Sequence, residues 1–194
     1  MTTDMKKIFV TAVMALLGVA AFAQPKFAHV NYAELVQLCP EADSARATMT
    51  ASSNEAQATY QAMVDEFNSK YEEYQGKAGT WTASIRQTKE QELTDIQQRI
   101  QQFSQNVDME LQQQQQQLMA PIYEKAINVV KDLAKAGGYI YVFDQSTLLY
   151  YDDAQSTDLT PQARTALNIP EGRTLETLQA ELQAQAQAAQ GAAQ

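Results

Sequence analysis

The side chains that could do chemistry are one cysteine, one histidine and a pair of neighbouring aspartates. Cys39 and His29 are the only residues of their kind, so no disulfide can form within the chain. A catalytic thiolate needs a base beside it. His29, however, lies in KFAHVN, which is typical of a strand, and we interpret it as a packed or rim residue. Asp152-Asp153 has no basic or metal-ligating partner and is interpreted as a solvated loop. The sequence predicts no enzyme, no cofactor and no metal site.

The N-terminus has the three parts of a secretory signal. Two lysines precede an apolar run over 8–21, and Ala21-Phe22-Ala23 is a small-x-small cleavage site. The run is shorter than the roughly 20 residues of a membrane span. We expect cleavage after Ala23 and export of the chain, with an uncleaved anchor as the alternative.

The charge of the chain excludes one class of partner. The net charge is -9, and removal of Asp4, Lys6 and Lys7 with residues 1–23 takes away +1, which leaves about -10 for the exported chain. An acidic chain does not favour nucleic acid or anionic lipid. We expect no nucleic-acid partner and at most peripheral membrane contact.

Residues 41–120 predict two long helices, each with a single apolar seam, joined by a turn. The turn lies at about 76–82, where GKAGTW contains two glycines. A helix with one narrow seam needs a partner seam, so the two helices are expected to form an antiparallel coiled-coil hairpin. The first seam contains Met49, Ala56, Tyr60, Met63, Phe67, Tyr71 and Tyr74. The second contains Ile85, Lys89, Leu93, Ile96, Ile100, Phe103, Val107, Leu111, Gln114, Leu118 and Ile122.

A glutamine tract, LQQQQQQL, occupies 111–118. Polar tracts are typical of disorder, but Gln is also a good helix former. Leu111 and Leu118 continue the second seam, and Gln114 falls on the seam between them. We therefore predict a helix with five outward glutamines, with disorder as the alternative.

The regions on either side of this arm predict a small body. Strands are expected at 27–30, 139–143 and 148–151, the last two joined by a turn at 144–146. Three short strands that are apolar on both faces are marginal alone and need cover on both sides. We therefore predict a β body shared between copies of the chain. Its expected residues are Phe27, Val30, Ile140, Val142, Leu148 and Tyr150.

Short motifs predict where elements begin and end. Asn31 followed by Glu34 is a capping-box pattern, Cys39 precedes a helix that starts at Pro40, and Thr160 is expected to cap a short helix. Pro121 is expected to kink the chain where the arm ends. The resulting units are 24–40 (first strand and short helix), 41–120 (arm), 121–169 (C-terminal body) and 170–194 (an Ala/Gln-rich tail, partly disordered).

This layout resembles the Skp/OmpH family of periplasmic chaperones. The matching stretches are AHVNYAELVQLCPEA and PIYEKAINVVKDLAKAGGYIYVFDQSTLLYYDDAQSTDLTPQARTALN. The resemblance covers about 26–169, and the arm matches only as coiled coil. One departure is charge: the best-known members are basic, whereas 83–122 carries three basic and five acidic side chains, a net of -2.

The resemblance implies a mainly α fold with a small β body, shared in a homotrimer from which three arms project around a cavity. It implies an ATP-independent holdase that encloses unfolded outer-membrane proteins. The alternative is a structural or adaptor coiled-coil protein of the cell envelope.

Helical phase identifies candidate client-binding residues on the arm. Met109 and Met119 lie away from the second seam, and Trp81 lies at the tip. The alternative is that they are isolated surface hydrophobes or contacts to neighbouring arms.

Overall fold

The computed structural model describes residues 25–192, so the predicted signal peptide lies outside the described residues. The fold is mainly α with one three-stranded sheet, as predicted. The elements are β1 (Lys26–Val30), α1 (Tyr32–Leu38), α2 (Pro40–Lys77), α3 (Ala83–Gly137), β2 (Tyr139–Asp144), β3 (Ser156–Asp158), α4 (Thr160–Ala166) and α5 (Leu175–Ala192). Within the described residues, no helix is both long and apolar enough to cross a membrane.

The arm is a hairpin of α2 and α3. Ion pairs join Glu66 to Arg99 and Lys70 to Glu92, so residue numbers rise along one helix as they fall along the other, and the helices are antiparallel. A single 3₁₀ turn, Ala78–Thr80, connects them. The hydroxyl of Thr82 accepts a hydrogen bond from the Ile85 N–H and caps the start of α3.

Pro121 does not end the helix. α3 continues through it to Gly137, where Gly138 adopts a left-handed conformation (φ 68°). Pro121 is exposed, so the hydrogen bond that proline cannot donate is missing on the solvent side. The following residues Ile122, Ala126 and Val130 are buried, and this burial keeps the segment helical.

The sheet has the order β2-β1-β3, and both neighbours run parallel to β1. The predicted strand at 148–151 is wrong, because the third strand is Ser156–Asp158. A tight turn at 144–146 would give an antiparallel hairpin, whereas a parallel neighbour needs a connection that crosses β1. Residues 145–155 form that connection, and Leu149 within it is fully exposed (106%).

One face of the sheet packs on the helices and forms the core of the body. Val30 and Val142 lie in or against this core, with residues of α1, the start of α2 and the end of α3. Both were predicted as residues of the shared β body, and both lie in the body, where their side chains face the chain's own helices.

Hydrogen bonds join the start of α1 to the start of α4. The side chain of Asn31 accepts from the Glu34 N–H at 3.1 Å, as the capping-box pattern predicts. The prediction for Thr160 is wrong: Leu159 occupies the cap position, and the Thr160 hydroxyl accepts from the Asn31 N–H at 2.9 Å. Thr160 therefore satisfies a donor at the other helix.

The tail differs from the expected partial disorder, since residues 175–192 form α5. Ala and Gln are good helix formers, and Thr174 and Thr177 exchange hydrogen bonds at its start. Leu178 is buried in the core cluster. Before α5, the Arg173 guanidinium pairs with Asp43 at 2.6 Å. The tail is thus packed on the body through one leucine and one ion pair.

Replacing Leu178 by Ala tests this packing. We expect a loss of about 2–3 kcal/mol in the free energy of unfolding, because a buried leucine leaves a cavity. Urea denaturation followed by circular dichroism, at a fixed protein concentration, measures it. Leu182→Ala is the matched control, since Leu182 is on the same helix but 40% exposed, against 5% for Leu178. Equal effects of the two substitutions would contradict the packing of the tail.

Candidate functional site

The arm surface is the candidate site, and most of its seam follows the predicted phase, although the predicted seam residues Tyr60, Tyr71 and Ile85 are exposed. Along α3 from 93 to 122, the eight apolar residues of the second seam are all buried or half-buried. In the glutamine tract Gln114 is half-buried, and the other five glutamines are exposed. The helical reading of the tract is confirmed. The outer face of the arm is therefore polar and rich in uncharged amides.

Ion pairs hold the two arm helices in register. Lys70 and Lys89 both contact one Glu92 oxygen, at 3.2 and 3.1 Å. Their hydrogen bonds hold the pKa of Glu92 below its usual value. Arg99 pairs with Glu66 at 3.2 Å. Lys89 thus keeps a charge partner at the edge of the seam, although exposed pairs of this kind add little stability.

The arm tip is an aromatic turn. Trp81 is half-buried and stands edge-on to Tyr74, with ring centroids 5.9 Å apart. The Tyr74 hydroxyl donates to the Glu90 carboxylate at 2.5 Å, and this bond raises the pKa of Tyr74. The guanidinium of Arg86 donates to the Ala78 carbonyl at 3.0 Å. Trp81 is therefore part of the turn and only partly available to a ligand.

The two methionines differ in their surroundings. Met109 is 61% exposed on the arm. Met119 is half-buried and packs against the core cluster of the body. Met119 was predicted as a client-binding residue because it lies off the hairpin seam. Its side chain instead packs on the body core, because the body covers a second side of α3 at that level.

Exposed apolar side chains concentrate beside the sheet. Five of the thirteen large exposed hydrophobic residues among the described part of the chain lie within 140–150. We call this set the body patch: Ile140, Tyr141, Phe143, Leu149 and Tyr150. Three of these residues lie on β2 and two in the connection that follows, and β2 is an edge strand with one unpaired side.

Only part of the body patch was identified from the sequence. Ile140 and Tyr150 were predicted, and both are exposed. Phe27 and Leu148 are half-buried, and the Phe27 ring stacks on Tyr141 at 6.3 Å. Tyr141, Phe143 and Leu149 were missed. The sequence did contain a signal for these residues. YIYVF is apolar on both faces of the strand, and the helices cover only one face of the sheet.

The histidine and the cysteine are both packed inside the body. The His29 Nδ1 lies 2.8 Å from the Ser156 hydroxyl, and its ring is 4.1 Å from that of Tyr151. The Cys39 Sγ donates to the Val36 carbonyl at 3.4 Å, and burial raises the pKa of its thiol. A raised pKa disfavours the thiolate. Among residues 25–192 no cluster of three His, Cys, Asp or Glu side chains could hold a metal ion.

The base of the arm is joined to the body by polar contacts. Lys125 of α3 bonds to Glu41 at the start of α2, which lowers the pKa of Glu41. The Tyr32 hydroxyl donates to the Tyr123 carbonyl at 2.9 Å. Its pKa is raised, first by burial and then by the neighbouring Tyr123 and Asp144. These contacts connect α1, α2 and α3 where the arm leaves the body.

Comparisons with known proteins agree on one family. The family described as "Outer membrane protein (OmpH-like)" matches residues 26–167. A crystal structure from Caulobacter crescentus CB15, described as a candidate OmpH-like outer membrane chaperone, has a TM-score of 0.67 and 13% identity, and the match covers 74% of this chain and 84% of that one. At this identity the likeness shows a shared fold. No curated protein sequence matches the chain.

Replacing Gln114 by Leu should stabilise the arm, because an apolar side chain at this half-buried seam position packs better than an amide. We expect a melting temperature a few degrees higher and slower amide hydrogen exchange around residue 114. Gln113→Leu is the matched control, since Gln113 is exposed. A lower melting temperature for Gln114→Leu would contradict the seam assignment.

Proposed function

The chain belongs to the family described as "Outer membrane protein (OmpH-like)", and from this premise we propose that it is a periplasmic chaperone for outer membrane proteins. It acts as an ATP-independent holdase, which binds unfolded clients and keeps them from aggregating. The predicted signal peptide supports an exported chain.

The observation that carries this proposal is the arm itself. α2 has 38 residues and α3 has 55, so the hairpin is about 55 Å long at 1.5 Å per residue. Beyond the base, from residue 46 to residue 121, only Ile96 is fully buried. This part of the arm therefore contributes almost nothing to the body's core. It provides a large accessible surface, which a protein needs in order to surround another chain.

Self-association would complete the body. The body patch exposes five large apolar side chains beside an unpaired strand edge, and an exposed edge of this kind pairs readily with another chain. We propose a homotrimer in which neighbouring copies cover this patch, so that three arms surround one cavity. The coincidence of the patch and the open edge of β2 supports this arrangement.

A holdase must retain its client and still release it, which requires many weak contacts. Once one segment is bound inside the cavity, each further contact is effectively intramolecular, so modest affinities add up to retention. Flexible methionine side chains suit surfaces that accept varied partners, and Met109 offers one such side chain. The exposed glutamines can hydrogen-bond to client backbone without adding charge.

Aggregation suppression tests this function. The chain without residues 1–23 is added, without nucleotide, to a β-barrel membrane protein diluted from urea. We expect light scattering by the client to fall as the chaperone concentration approaches that of the client. An associated, folded chain that leaves the client to aggregate would instead favour the adaptor role.

The contribution of Met109 is tested in the same assay. Met109→Asp places a charge on an exposed helix face and should weaken suppression several-fold without loss of helicity. Met109→Leu is the matched control and should retain activity. Suppression unchanged by Met109→Asp would remove this residue from the client surface. Met119 is left out, because a charge there would disturb the core.

A further inference from the structure

A cleft opens between the two arm helices about a third of the way from the body to the tip. Its volume is about 480 Å³. α2 contributes Ser52, Glu55, Ala56 and Thr59, and α3 contributes Phe103, Val107, Glu110, Leu111 and Gln114. The cleft therefore lies within the hairpin's own seam, away from the core cluster of the body.

Unequal side-chain sizes create the cleft. Between Met49 and Tyr60 the α2 residues that face the seam are small, Ser52, Ala56 and Thr59, over about 16 Å of helix at 1.5 Å per residue. α3 presents large ones there, and Phe103, Val107 and Leu111 remain half-buried. Small residues facing large ones leave open space in place of interdigitated packing.

Nearer the tip one seam position is fully buried. Ile96 is buried close to the level of Phe67, as the pairing of Arg99 with Glu66 indicates. Other α3 seam residues, such as Leu93 and Ile100, are half-buried like the three residues of the cleft wall. The cleft is distinguished by the small α2 side chains opposite, which leave apolar surface that the hairpin itself does not cover.

Two carboxylates, Glu55 and Glu110, stand on the lining of the cleft. Both are exposed, and within residues 25–192 neither carboxylate takes part in an ion pair. No Lys or Arg lies among the lining residues. Other arm carboxylates, such as Glu66 and Glu92, have basic partners. The cleft combines apolar walls with an uncompensated negative charge.

We propose that this cleft is a binding subsite for unfolded segments in which an aromatic or large aliphatic side chain is flanked by Lys or Arg. The apolar side chain enters between Ala56 and the α3 wall of Phe103, Val107 and Leu111. The flanking cation pairs with Glu55 or Glu110. The Gln114 amide can hydrogen-bond to the segment's backbone. This inference rests on the proposed chaperone function and names the client chemistry that the arm selects.

The subsite explains how an acidic arm can select among client segments. Charge attraction in an exposed site is screened by salt, and one side chain in an open cleft binds weakly. A client retained by several arms needs only such weak contacts. The subsite therefore acts as a selective element within a multivalent surface, favouring basic-aromatic segments over acidic ones.

Three labelled peptides of equal length test the subsite: one with Phe flanked by lysines, one with Phe flanked by glutamates, and one with Ala flanked by lysines. Fluorescence anisotropy at low salt measures their binding to the chain without residues 1–23. We expect the Lys-Phe peptide to bind at least about tenfold more tightly than either other peptide, with affinity falling as salt rises. Equal binding of the Lys-Phe and Glu-Phe peptides would overturn the proposal.

Variants locate the binding in the cleft. Glu55→Gln with Glu110→Gln removes both charges from exposed positions and should abolish the preference for lysine. Glu72→Gln with Glu124→Gln is the matched control, because these carboxylates are also exposed and unpaired within the described residues but lie outside the cleft. A preference that survives Glu55→Gln with Glu110→Gln would contradict the assignment.

A third variant fills the cleft. Ala56→Leu should weaken the Lys-Phe peptide several-fold while leaving arm helicity intact, and methyl signals of Val107 and Leu111 should no longer shift on titration. Methyl shifts that persist in this variant would overturn the site. A chain that suppresses client aggregation but shows no peptide preference would refute the subsite alone. Loss of aggregation suppression with the preference intact would refute the proposed function alone.

Discussion

The structure depends on the burial of the last third of α3 in the body. Ile122, Ala126 and Val130 lie in the core cluster, and burying side chains of this size contributes about 1.5–3 kcal/mol for each of the larger two. Because α3 is continuous from Ala83 to Gly137, this anchored segment fixes the direction of the whole arm. α2 then needs only a seam, ion pairs and a short turn to follow it. The cleft, the aromatic tip and the amide-rich face are all held by that one helix.

The sequence was a good guide wherever one periodicity governed a long segment. The α3 seam and the half-buried Gln114 followed from spacing, because a helix with one apolar stripe can bury only that stripe. The capping box of Asn31 and Glu34 could also be predicted, because the two residues are close in sequence and their contact is local. By contrast, the third strand was misplaced. LLYY has strand composition, but whether it pairs is decided by the long-range parallel register of β1 with Ser156–Asp158.

Sites formed by several elements were harder to predict. Met119 looked free because only the hairpin seam was considered, whereas the body packs on a second side of α3 there. Thr160 looked like a cap, but its hydroxyl serves Asn31, 129 residues away. The body patch was half-identified, since Tyr141 and Phe143 are exposed only because the helices cover one face of the sheet. The cleft between Ala56 and Val107 depends on which residues face each other across the hairpin.

We propose that neighbouring copies complete the body by covering the body patch. An isolated chain exposes Leu149 and Tyr150 almost fully, together with a free strand edge on β2. Multi-angle light scattering of the chain without residues 1–23, coupled to size-exclusion chromatography over a range of concentrations, tests this most directly. We expect the mass of a trimer that persists on dilution. A folded monomer at all concentrations would contradict this arrangement.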